Sequence, residues 1–119
     1  MSQEVPNKIS VVIEMEEKYP EMTNEFKEIM KIQYETFCKK MSDYGTDNIA
    51  LGKDLNNEED RRLSQMGIWF RMMDKINRLK QLVVLNNDNN VDESITDTYQ
   101  DLSVYAILAQ MVKNGKWGN

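Results

Sequence analysis

Apolar positions recur at helical spacing along most of the chain, separated by four breaks. The breaks lie at Tyr19-Pro20, from Gly45 to Asn57, from Asn86 to Asp92, and in the tail Gly115 to Asn119. Between Asn7 and Tyr19, Ile9, Val12 and Ile13 fit steps of three and four, which suits a short helix. The run Ile9 to Ile13 also suits a strand, but the chain offers no second convincing strand to pair with it. The next segment, Pro20 to about Asp43, carries Phe26, Ile29, Met30, Phe37, Met41 and Tyr44 near the helical period. Pro20 suits a first helical turn, Glu21 and Glu25 suit its positive end, and Gly45 provides the stop.

A third helix is expected from Asn57, a good cap, with Glu58, Glu59 and Asp60 in its first turn. Leu63, Met66, Phe70 and Met73 form one stripe on it. Trp69, Met72, Ile76, Leu79 and Val83 form an adjacent one. This arc is wider than a surface helix needs, so the helix should be central and covered from two directions. The fourth helix is expected to start at the cap Asp92, with Ile95, Tyr99, Leu102, Ala106 and Ala109 as its buried face. Four such segments predict an all-α fold, an antiparallel bundle of about four helices. The domain is read as single, 1–119, with residues 1–19 as an extension and 115–119 as a tail. Trp117 in that tail is expected to cover an apolar seam or to meet another subunit, and the wide arc predicts a homo-oligomer.

Charge and composition narrow the chemistry. There are 20 acidic and 15 basic side chains and no histidine, giving a net charge of -5. An acidic chain is a poor partner for duplex nucleic acid. Without histidine, Ser-His-Asp triads, Cys-His dyads and His-ligated zinc are excluded. The one cysteine, Cys38, rules out an internal disulfide and fits a buried structural thiol. No apolar run approaches the ~20 residues that span a bilayer. The start Met1-Ser2-Gln3-Glu4 has no leader pattern, so a cytoplasmic protein and no membrane partner are expected.

Two charged columns stand out. Glu93, Asp97 and Asp101 are spaced by four and would stack on one helical face, where like charges repel by a few tenths of a kcal/mol per pair. Something positive should meet them. A divalent metal such as magnesium, held by Asp97 and Asp101, would do so; so would a basic column. Arg71, Lys75 and Arg78 supply that column on the preceding helix. The two columns either pair as a structural network or line a cleft for a phosphorylated ligand, whose phosphates the Arg forks and the lysine suit. At the end of the second helix, Lys40, Asp43, Tyr44 and Gly45 form either a capped terminus or a ligand edge. In the second case Lys40 meets a phosphate and Tyr44 stacks on a base.

Three blocks carry a family resemblance: Lys-x-x-Asp-Tyr-Gly at Lys40 to Gly45, Arg-Met-Met-Asp-Lys-Ile-Asn-Arg at Arg71 to Arg78, and Glu-Ser-x-x-Asp-x-x-x-Asp-Leu-x-x-Tyr at Glu93 to Tyr105. Their order and spacing, over roughly Ile29 to Trp117, resemble the nucleotide modification associated domain of type 1, a small helical family common in bacteriophages. The resemblance implies a nucleotide ligand, and a host cytoplasm if the chain is phage-encoded. The acidic block also looks like the all-α nucleoside triphosphate pyrophosphatases of the MazG and dimeric dUTPase type. Those hold magnesium with two acidic pairs on successive helices. Here Asp74, Lys75 and Arg78 stand where the first pair would be, and Glu25-x-x-Glu28 lies on an earlier helix.

The leading expectation is therefore a nucleotide binder acting in phage nucleotide metabolism or in counter-defence by sequestration. It requires no cofactor, with magnesium as an option, and no catalytic residue. The alternatives are a magnesium-dependent pyrophosphatase and an interaction protein without a small ligand.

Overall fold

The computed structural model describes residues 4–119, with side chains from residue 10 onward; Met1 to Gln3 and the Ile9 side chain lie outside the described residues. The fold is all-α. The helices are α1 (Glu4–Lys18), α2 (Pro20–Tyr44), the short α3 (Asp47–Ala50), α4 (Glu58–Leu79) with a π-turn at Lys80–Val84, and α5 (Ile95–Lys113). They fall into two compact units, Met1–Cys38 and Lys39–Asn119, with the division inside α2.

In the first unit the helical path passes through the proline. The Tyr19 N–H donates to the Met15 carbonyl at 2.8 Å, and the Thr23 N–H to Tyr19 at 3.1 Å. Pro20 has no N–H to give, which suits the first position of α2. The path bends there. Lys27 Nζ reaches Glu16 Oε2 at 2.7 Å, although eleven residues of straight helix would separate them by about 16 Å. A bend at proline accounts for it. No residue of α2 is buried, and Phe26 is 68% exposed.

In the second unit α2 stops at Gly45, whose φ of +72° favours glycine. The stretch read as loop from Gly45 to Asn57 contains α3. Ile49 and Ala50 of α3 are buried, and Ser64 Oγ donates to the Ile49 carbonyl at 2.6 Å. Asn57 caps α4 as expected: its Oδ1 accepts from the Asp60 N–H at 2.9 Å, and its amide donates to the Asp60 carboxylate at 3.0 Å.

The start of α5 differs from expectation. Ser94, not Asp92, is its cap, in a reciprocal box with Asp97: the Asp97 N–H donates to Ser94 Oγ at 2.9 Å, and the Ser94 N–H to the Asp97 carboxylate at 3.2 Å. Such a box satisfies two orphan helix donors at once, which Asp92, with the apolar Ile95 three residues on, could not do. Glu93 therefore precedes the helix instead of belonging to it.

α4 and α5 pack antiparallel, because successive partners run in opposite order: Arg71 with Tyr105, Lys75 with Asp101, Arg78 with Thr98. The face of α4 turned to α5 carries the buried Ser64 and Ile68; α5 contributes Thr98, Leu108 and Val112. This overturns the expected burial. Leu63, Met66, Trp69, Phe70, Ile76, Val83, Ile95 and Tyr99 are exposed in this chain. The seam is built instead on the positions between those stripes, Ile68, Leu108 and Val112 together with Arg71, Lys75 and Arg78 and their partners. The tail closes the opposite end. Trp117 is 7% exposed, and its indole N–H donates to the Thr46 carbonyl at 3.1 Å. Of the two expected roles for Trp117, it covers a seam of its own chain.

Candidate functional site

The charged residues of the α4–α5 seam form one connected cluster. Helical spacing puts Lys75 and Arg78 on adjacent turns of α4, facing α5. Lys75 Nζ lies 3.2 Å from Glu93 Oε1 and 2.9 Å from Asp101 Oδ2. The Arg78 Nε donates to Thr98 Oγ1 at 3.0 Å and lies 3.2 Å from Glu93 Oε2. Its Nη2 donates to the Glu93 carbonyl and, at 3.0 Å, to Asn89 Oδ1. Thr98, fully buried, donates its hydroxyl to the Glu93 carboxylate and so closes the ring. Lys40, at the last turns of α2, stands 3.7 Å from Asp101 Oδ1 with its side chain 58% exposed. Among the described residues, no buried side-chain nitrogen or oxygen lacks a partner.

The expected basic and acidic columns thus meet, but not as complete columns. Lys75, Arg78, Glu93, Asp101 and Lys40 come together. Asp97 is drawn off into the α5 capping box. Arg71 lies over the Tyr105 ring at 6.0 Å and donates to the Asn48 carbonyl at 2.8 Å, so it holds α3 rather than an acid. Tyr44 is 70% exposed and stands one helical turn beyond Lys40, on the same face of α2. Asp43 and Gly45 lie beside it at the exposed helix end. Thr98 and Asn89 were missed in the sequence. A threonine three residues before Asp101 lies on the same helical face, and that spacing was the available signal.

The electrostatics follow from this geometry. Burial works against the Lys75 charge, but hydrogen bonds to Asp101 and Glu93 outweigh it and raise the ammonium pKa above its usual 10.5. The Thr98 hydroxyl, opposed by burial and aided by Lys75, holds the Glu93 carboxyl below its usual 4.5. A lowered acid stabilises the fold above its unfolded pKa, and that contribution is lost as pH falls through the folded value. A raised base stabilises below its unfolded pKa, and that is lost as pH rises through the folded value. Thermal unfolding followed against pH should therefore show stability falling below pH 4.5 and again above 10.5. Glu93→Gln should flatten the acid limb. An acid limb unchanged in that variant would contradict the assignment.

A magnesium ion does not fit between these carboxylates. Lys75 Nζ already occupies the position between Glu93 and Asp101 that a cation would take. The two acids expected to hold it face different partners, Asp97 the Ser94 backbone and Asp101 the two lysines. Among the described residues, no three Asp, Glu, Cys or His groups converge as metal ligands. No helix of the described residues is long and apolar enough to cross a membrane.

Comparison with known proteins gives one match. Residues 40–112 fit the family model described as nucleotide modification associated domain 1. That span contains all three sequence blocks and every residue of the cluster. No curated protein and no solved structure matches the chain.

Proposed function

The chain belongs to the nucleotide modification associated domain 1 family, and from that premise we propose that the Lys75–Arg78 cluster binds a phosphorylated nucleotide or a nucleotide-derived signal. One observation carries the reading. Lys75 and Arg78 are held with side chains only 20% and 19% exposed, in a seam that continues through the buried Ile68, Leu108 and Val112. An apolar seam of the same volume is often as stable as a buried ion pair, or more so. Two cations kept there suit a ligand with matching charge. Phosphate oxygens would replace a carboxylate as the partner of Lys75 and Arg78. Lys40, loosely held and more exposed, would close over the phosphates, and Tyr44 would stack on the base.

With Lys75 standing between the acids, the reading is a binder rather than a pyrophosphatase. Phage nucleotide metabolism or sequestration of a defence signal are the settings it suits. A specific observation favours a second reading: the cluster is fully satisfied by its own partners, as a purely structural network would be.

Calorimetric titration against nucleoside mono-, di- and triphosphates and cyclic nucleotides, with and without magnesium, separates these. Lys75→Ala should weaken the binding by about 1.5–3 kcal/mol, the contribution of a charged hydrogen bond. Lys40→Ala should weaken it less. Circular dichroism of both variants reports whether the fold persists. No binding across the panel would leave the structural network as the better reading. Phosphate release that needs magnesium would favour the pyrophosphatase.

A further inference from the structure

The unit Lys39–Asn119 has a charged side and an apolar side. Lys40, Arg71, Asp101 and the segment Thr46 to Ile49 join on the first, through the Lys40–Asp101 pair, the Arg71–Asn48 bond and the Ser64–Ile49 bond. Trp117 reaches Thr46 on the same side. In two antiparallel helices, positions displaced in the same rotational sense from the shared seam emerge on the same side of the pair. Trp69, Met72, Ile76, Leu79 and Val83 on α4 are displaced in the same sense as Ile95, Tyr99, Leu102 and Ala106 on α5. None of these nine residues is charged, and Lys80, four residues after Ile76, borders the face they make. Trp69 is 55% exposed, Ile76 42%, Val83 46% and Tyr99 51%.

We infer that this face is the interface between two copies of the chain, closing a four-helix bundle about a two-fold axis. The segments that this unit could fold over it, the end of α2, α3 and the tail, are already engaged on the charged side. A face of nine uncharged residues selects a similarly apolar partner. A second copy presents one of the same length and width, self-complementary as a two-fold axis requires. From Trp69 to Val83 the face runs about 21 Å along the helix and is two helices wide, roughly 400 Å² in projection. Interdigitated side chains add to that, towards the ~800 Å² per partner of a standard stable interface. Trp69 and Tyr99 supply the large aromatic anchors that dominate such interfaces.

Sedimentation equilibrium on the full chain is the test. The expected species is twice the 14.0 kDa chain. Ile76→Glu should yield a monomer that keeps its helical circular dichroism. Ile76→Ala, a milder change at a half-open position, should raise the dimer dissociation constant about tenfold, which the loss of two Ile76 side chains per dimer, together worth ~1.4 kcal/mol, would do. Phe26→Glu, on α2, should leave the dimer intact. A monomeric wild type would overturn the inference and assign the face to another occupant, the chain's own N-terminal helices or a different protein. A dimer that dissociates with Phe26→Glu and not with either Ile76 variant would overturn it as well, moving the interface to α2.

Discussion

Glu93→Ala should destabilise the chain by about 2–3 kcal/mol, the scale of breaking a buried ion pair reduced for partial solvent access. Glu93 lies at the centre of the cluster: its carboxylate meets Lys75, Arg78 and Thr98. Removing it leaves the buried Thr98 hydroxyl with one acceptor fewer and two half-buried cations short of charge. Because Glu93 precedes α5, the loss cannot be assigned to helix propensity. Thermal melting should show a drop of roughly 10 °C for a domain of this size. Asp97→Ala, which removes only a capping contact, should cost about 1 kcal/mol. Equal losses in the two variants would mean that the cluster does no more for stability than an ordinary helix cap.

Trp117→Ala should cost about 3–4 kcal/mol, as truncation of a buried aromatic side chain does. The indole is 7% exposed and donates to the Thr46 carbonyl across 71 residues of sequence. It therefore ties the end of the chain to the turn before α3. Trp117→Phe keeps most of the apolar volume and removes the N–H, so it should recover more than half of the loss. Denaturant unfolding of the three proteins reads both effects. A Trp117→Ala protein as stable as the wild type would show that the tail closes nothing.

The helices were legible because their end signals are local. Pro20, Gly45 and the Asn57 cap each act within a few residues of sequence, and each stands at or beside an observed helix end. The start of α5 is expected at Asp92 from its cap chemistry alone, and Ser94, an equally good cap two residues on, is the one observed. The Asp97 side chain decides between the two by returning a bond to the Ser94 backbone. α3 was hidden because four residues carry too little periodicity to show against the surrounding Gly, Asn and Asp. The π-turn at Lys80–Val84 has no sequence signature of this kind either.

Burial was read least well. The stripes Trp69 to Val83 and Ile95 to Ala106 are apolar and at helical spacing, which says that something covers them but not that the same chain does. The meeting of Lys75 with Asp101 was legible from matched spacing on neighbouring helices. The role of Thr98 was not, because a threonine in the first turn of a helix has many possible partners and only the antiparallel register brings Arg78 to it.

The central claim is that Lys75 and Arg78 receive the phosphates of a nucleotide. Nitrogen-15 NMR of their side chains, observed directly while a nucleoside triphosphate is titrated in, tests it at the atoms concerned. The expected result is a saturable shift of both Lys75 Nζ and Arg78 Nε, with the same dissociation constant as calorimetry and the Arg71 signal moving less. Binding that leaves both signals unmoved, or that moves residues elsewhere in the chain, would contradict the account.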